Sequence, residues 1–306
     1  MIEVQQLSKH FGRVTAVDDL TFTVSPGRVT GFLGPNGAGK STTLRTIVGL
    51  ARPSSGTVLV NGRRYAEHGA PLHEVGALLD ARAVHPGRTA HDHLRMLAAT
   101  AGVGSARVRE LLELVGLTAV AHRRVRTFSL GMTQRLGIAT ALLGDPGVVL
   151  LDEPVNGLDP DGIHWIRGFL RQLAAEGRTV FVSSHLMSEM ALTADHLVVL
   201  GRGRLLADVA MADLLDTTVP KTRVRTTQAA DLAAALRAPG VHVEQPETSV
   251  LVITGRTEDE VADLAFARRI VLHEVTPLHR SLEDAYLDLT QDARAHVATT
   301  TPRRAA

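Results

Sequence analysis

Residues 1–33 alternate apolar and polar positions with the two-residue period of half-buried β-strands: IEVQQL, a turn at Phe11-Gly12-Arg13, then VDDLTFTV. Ser25-Pro26-Gly27 predicts a second turn, and VTGFL (29–33) is apolar on both faces, as a fully covered strand requires. TLRTIVGL switches to helical spacing and stops at Gly49, and SSGTVLVNG (54–62) predicts a strand closed by an Asn-Gly turn. From about Thr89 to Leu143 apolar residues recur at helical intervals, as in HLRMLAATAGV and ARVRELLELVGL, with a last helix expected over 132–144. VVLLDE (148–153) returns to an unbroken apolar strand. Asp159-Pro160 offers an N-cap and first-turn proline for a helix to Ala175, ended by Gly177, and RTVFVSS (178–184) is another strand. Strands alternating with helices predict an α/β fold on a parallel sheet.

Between Asp208 and Pro220 the pattern breaks, which places a domain boundary there, between 1–215 and 216–291. Beyond it TRVRTT, DLAAALRA, VHVEQ, SVLVITG, a helix near 257–269 and IVLHEV follow in the order β-α-β-β-α-β. That order suits the split βαβ of ferredoxin-like folds, with an irregular α+β appendage as the alternative. Residues 292–306, ending ATTTPRRAA, are expected to be a disordered tail.

Composition narrows the functional classes. Hydrophobic residues are 44% of the 306, enough for a large core, while aromatics are only 3%. A net charge of +1 does not call for a nucleic-acid partner. The absence of cysteine removes disulfides, thiolate metal sites and cysteine nucleophiles. The start MIEVQQLSKHF lacks the apolar core of a signal peptide, and no window is apolar for long enough to span a bilayer. A membrane role would therefore come through a partner.

Two stretches carry candidate chemistry. GPNGAGKST, between a predicted strand and a predicted helix, fits G-x-x-x-x-G-K-[ST] with Gly34, Gly39, Lys40 and Ser41. Gly34, Pro35, Asn36, Gly37, Ala38 and Gly39 would wrap phosphates in backbone N–H groups at a helix N-terminus. Lys40 would reach the outer phosphates, and Ser41, followed by Thr42, would ligate Mg²⁺. The second stretch ends an apolar strand in Asp152 and Glu153, an arrangement that costs several kcal/mol if the acids are buried without partners. The partner expected there is Mg²⁺ carried in with the nucleotide, not a protein residue, on a strand lying beside the P-loop strand. Asp152 would meet the metal, and Glu153 would orient and deprotonate an attacking water.

Other segments make residues 2–215 resemble the ATPase subunit of an ABC transporter. FSLGMTQR (128–135) resembles the family segment LSGGQ-x-QR, with Ser129 and Gly131 at the serine and second glycine. Asp159 in NGLD, His185 in SSHL and Phe11 in KHFG stand where the family has its dimer-loop aspartate, γ-phosphate histidine and adenine-stacking aromatic. The resemblance implies a P-loop NTPase with a parallel core, an antiparallel β subdomain and a helical subdomain. It implies ATP and Mg²⁺ as ligands, with Ser129 and Gly131 capping ATP held by the opposite subunit. It also implies a homodimer or a pairing with a related ATPase, and integral membrane permease subunits docking on 89–127. The location implied is cytoplasmic, on the inner face of the membrane. No nucleic-acid partner and no structural metal are expected, and the histidines around His91-Asp92-His93 are expected to be solvated.

Two positions depart from the family. Leu130 replaces the first glycine of the 128–135 segment and Met132 its glutamine. Asp80, in VGALLDA, stands where the family has a glutamine that touches Mg²⁺ and water; with HPGRTAHDHL and PLHRSLEDAYLDLT it resembles the branch that exports antibiotics and peptides. An ATP-driven export motor is the reading favoured. The alternatives are a soluble ABC ATPase, against which the lack of a second cassette or a coiled coil argues, and a nucleotide-binding regulator without turnover. Lys40, Glu153 and His185 argue against the regulator, while Leu130 and Asp80 keep it open.

Overall fold

The computed structural model describes residues 1–215, 219–278 and 281–289; the expected tail, 292–306, lies outside them. The described residues divide into two compact units, Met1–Met211 together with 286–289, and Ala212–Ala285.

The first unit begins with β1 (Ile2–Phe11) and β2 (Val14–Val24), joined by the Gly12-Arg13 turn, followed by β3 (Val29–Leu33), α1 (Lys40–Ile47) and β4 (Ser55–Val60). β1 pairs antiparallel with both β2 and β4. The strand signal ending in Asn-Gly is realised as a tight reversal, with Asn61 and Gly62 at φ 50° and 76° and Val60 bridged to Arg63.

Next come α2 (Pro71–Glu74), β5 (Val75–Leu78), α3 (Ala90–Thr100), α4 (Ser105–Leu114), α5 (Leu130–Ala141), β6 (Val148–Asp152), α6 (Pro160–Ala175), β7 (Thr179–Ser184), α7 (Met187–Ala191), β8 (His196–Gly201) and β9 (Arg204–Ala210); α8 (Met211–Leu215) begins at the last residue of this stretch and otherwise belongs to the second unit. The main sheet has the order β5-β6-β7-β3-β8-β9, parallel except for β9 at the edge. β3 and β7 are buried at every residue, as their unbroken apolar runs require. Phe22 of β2, Phe32 of β3 and Phe181 of β7 meet with ring centroids 4.9–5.8 Å apart, joining the two sheets through one core.

The strand carrying Asp152 does not lie beside the P-loop strand, as expected; β7 stands between them. β7 is apolar on both faces and hydrogen-bonds β6 along one edge and β3 along the other, in register Asp152↔Ser183 and Leu33↔Ser184. An apolar run predicts burial but not neighbours. The insertion still aligns the carboxyl ends of all three strands, where ligands bind in such sheets.

α5 starts two residues before the expected helix because Ser129 caps it, its hydroxyl accepting the Met132 N–H at 3.1 Å. His93 corrects another expectation. It falls on the apolar face of α3 with Ala90, Leu94 and Ala98 and is only 7% exposed, and its Nδ1 is buried without a partner. Burial, then the charge of Arg88, lowers its pKa below the ordinary 6.5. The folded chain thus takes up this proton less readily than the unfolded chain. Stability from the neutral ring is complete above pH 6.5 and is lost as pH falls below it. His93→Gln is expected to flatten the acid limb of Tm against pH; an unchanged limb would assign the acid sensitivity to other groups.

The second unit contains β10 (Lys221–Arg225), α9 (Ala229–Ala235), β11 (His242–Glu247), β12 (Val250–Thr254), α10 (Glu258–Ala267) and β13 (Glu274–Pro277). Its sheet runs β11-β12-β10-β13 with every pair antiparallel, the arrangement of a split βαβ. Val224, Leu251 and Ile253 pack against Leu232, Val261 and Ala265 of the helices. Residues 282–289 are helical.

Candidate active site

The turn from β3 into α1 forms a cradle. Gly39 is the N-cap of α1 at φ 103°, and a Cβ there would stand 2.5 Å from the Ala16 carbonyl oxygen. Only glycine meets both demands. Lys40 opens the helix and is 6% exposed; its Nζ donates to the carbonyl oxygens of Gly34 at 2.6 Å and Pro35 at 3.5 Å.

Across the strand ends, Asp152 accepts a hydrogen bond from the Ser183 hydroxyl, and the same hydroxyl accepts the Glu153 N–H at 3.0 Å. Glu153 itself has φ 52°, a left-handed conformation uncommon for a glutamate. Its Oε1 lies 3.8 Å from Lys40 Nζ and its Oε2 lies 2.8 Å from His185 Nδ1. The acids therefore have protein partners, contrary to the expectation that only a metal would meet them. The reason is geometric: α1 starts at the same sheet edge and points its first side chain at the end of β6.

A cavity of about 500 Å³ joins these groups, walled by the loop from Pro35 to Thr42 and by Asp80, Asp152 and Glu153. Asp80 reaches the cavity while its Oδ1 accepts the Arg82 N–H at 2.8 Å. Other predicted residues lie outside this wall. Gly34 closes β3, and His185 touches the site through Glu153. Phe11 is 54% exposed at the end of β1, with Lys9 Nζ 4.8 Å from its ring centre. Ser129 caps α5 and Asp159 caps α6, accepting the Gly162 N–H at 2.9 Å. Gly131 lies against the 156–159 loop, where a Cβ would sit 3.0 Å from the Gly157 carbonyl oxygen.

Sequence reasoning missed Arg82, Asn156 and Gln134, which line the same cavity. The signal for Gln134 was available. It interrupts an apolar i, i+4 register between Leu130 and Ile138, yet is only 4% exposed. Chemically, the cavity offers backbone N–H groups and Lys40 for anionic oxygens, with carboxylates and the Ser41 hydroxyl as hard oxygen ligands.

Residues 17–156 match the family described as ABC transporter, and residues 220–283 match a domain of unknown function, DUF8746. The uncharacterized ABC transporter ATP-binding protein YhcH of Bacillus subtilis (strain 168) is 37% identical over 302 residues, 97% of this chain and 98% of its own length. The chain belongs to the ABC transporter ATP-binding proteins. Another member, the bacitracin transport ATP-binding protein BcrA of Enterococcus faecalis, is 40% identical over 217 residues, 70% of each chain. Among solved structures, an ATP-binding subunit of an ABC transporter superposes with a TM-score of 0.64 at 30% identity, over 70% of this chain and 91% of its own. The cavity thus sits in the ATP-binding domain of an ABC protein. No helix among the described residues is long and apolar enough to cross a membrane.

Proposed function

We propose that the chain is the ATP-hydrolysing motor of an ABC exporter for a drug, antibiotic or peptide, acting on the inner face of the membrane through separate permease subunits. The observation that carries this reading is the convergence of Lys40, Asp152 and Glu153 on one cavity beside a glycine-lined helix start. The loop from Gly34 to Thr42 holds the ATP phosphates, and Phe11 stacks on adenine. Glu153 takes a proton from the attacking water, and His185, already at hydrogen-bond distance from Glu153, faces the γ-phosphate.

The residues also fit Mg²⁺. No trio of His, Cys, Asp or Glu among the described residues could hold a metal alone, which suits an ion that takes most of its oxygens from phosphates and water. Ser41, Asp152 and Asp80 are the side chains that would hold it, and its chemistry would be to neutralise charge building on the phosphates. If Asp80 is a ligand, Asp80→Gln shifts the Mg²⁺ concentration for half-maximal hydrolysis; an unchanged value leaves Asp80 as the cap of its turn.

A second copy, or a related ATPase, supplies Ser129, Gly131 and Asp159 across the seam. Exposure of the Phe11 ring and the absence of Ser129 from the cavity wall are consistent with a site completed by a partner. For the permease, the 89–127 region contributes His93 and Leu97 to a mainly apolar cavity of about 580 Å³ that also reaches Asp80. The name of BcrA supports an antibiotic or peptide cargo. The test is phosphate release by the chain reconstituted in vesicles with a candidate membrane permease. Stimulation of hydrolysis by that protein supports a motor; the same rate with and without it favours a soluble ABC protein.

A further inference from the structure

Glu153 precedes Pro154, so the peptide between them has a carbonyl but no N–H. The orientation of that peptide is set by whatever donates to the Glu153 carbonyl. Among the described residues two groups donate to it: the Asn156 N–H at 3.2 Å, which belongs to the same loop and moves with it, and the Gln134 side-chain amide at 3.2 Å. Gln134 comes from α5, a separate element, and is buried in the wall of the ATP cavity. Its helix is anchored on both sides. The neighbouring Arg135 donates to the Val115 carbonyl at 3.2 Å and lies 4.8 Å over the ring of Trp165 on α6.

The bond meets a residue that needs holding. A left-handed conformation costs a non-glycine residue about 1–2 kcal/mol, and Glu153 adopts it at φ 52°. Ser183 of β7 fixes the N–H side of Glu153, through its hydroxyl at 3.0 Å and its carbonyl at 3.2 Å. Gln134 fixes the carbonyl side. Without that hold on the carbonyl, the left-handed backbone of Glu153 can relax toward an ordinary φ, and the Cα–Cβ bond that aims the carboxylate at Lys40 and His185 turns with it.

We propose that Gln134 is a positioning residue: its amide holds the Glu153–Pro154 peptide so that the carboxylate is aimed into the cavity. This rests on the reading of Glu153 as general base. It also ties that base to α5, the helix capped by Ser129, so that contact of Ser129 with the partner's nucleotide is felt at the chain's own glutamate. Gln134 need not touch ATP to do this.

The test uses full-length protein with Gln134→Leu, which keeps the packing, and Gln134→Glu, which keeps the shape but replaces the donor with an acceptor. Phosphate release and ATP binding by calorimetry are read for each, alone and combined with Glu153→Gln. Loss of one aimed hydrogen bond should lower kcat about tenfold, equivalent to about 1.4 kcal/mol, with KM and Kd within about twofold. In the Glu153→Gln background neither change should matter further, since no base remains to be aimed. An unchanged kcat, an equal loss in both backgrounds, or a rise in Kd parallel to the loss of kcat would overturn the role. Hydrolysis that survives Glu153→Gln sinks the general-base reading and Gln134 with it. A loss in Glu153→Gln with none in the Gln134 variants sinks the positioning role alone.

Discussion

Lys40→Ala is expected to abolish ATP binding. In the native chain the ammonium is 6% exposed, bonded to the Gly34 carbonyl and within 3.8 Å of Glu153. Alanine removes the buried cation nearest the phosphate cradle and leaves Asp152 and Glu153 to repel the incoming triphosphate. Truncating one partner of a desolvated charge pair costs about 2–5 kcal/mol, so affinity should fall at least about thirtyfold. Arginine is no substitute, because its planar fork does not fit a pocket built around a point charge. Titration calorimetry with ATP reads the result directly, and an undiminished Kd would refute the cradle. Thermal unfolding of the variant without nucleotide separates lost binding from lost folding.

The cradle was legible because its chemistry dictates its spacing. Wrapping backbone round phosphates needs glycine at fixed steps, and the lysine must open the helix that follows; both constraints are local in sequence. Asp159 was legible for a similar reason, since capping is a property of one helix end, whereas Ser129 was expected only through the family resemblance and its capping of α5 came from the structure. The neighbour order of β3, β6 and β7 was not. All three are unbroken apolar runs, and nothing local states that β7 pairs with the other two and brings Ser183 under Asp152. The same blindness hid the protein partners of Glu153. Lys40 and His185 stand 113 and 32 residues away and meet it only because their elements end at one sheet edge. Gln134 was harder still: its place in an apolar i, i+4 register signals burial, but no side-chain pattern shows that it donates to a backbone carbonyl. In the second unit the βαββαβ order already restricted the sheet, as short right-handed crossovers leave few ways to pair four such strands.

The other large effect is expected at Glu153→Gln: ATP still binds, but turnover falls about a hundredfold to ten-thousandfold, the range for removing a general base. The amide is isosteric with the carboxylate and leaves the Glu153 backbone bonds to Ser183 and Gln134 intact. It removes a negative charge from the cavity wall beside Lys40 and releases Lys40 from a competing acid, so affinity for ATP should hold or improve. On the proposed sandwich, two such chains close on two ATP molecules and lack the step that reopens them. A dimer that appears with ATP and Mg²⁺ but not with ADP should therefore be visible by light scattering. The contrast with Lys40→Ala is informative, because both variants stop turnover but only one should accumulate the closed dimer. If Glu153→Gln stays monomeric with saturating ATP, the completion of the site by Ser129 of a second copy is wrong. If it still hydrolyses at the native rate, water is activated elsewhere, and His185, at 2.8 Å from the same carboxylate, becomes the residue to replace next.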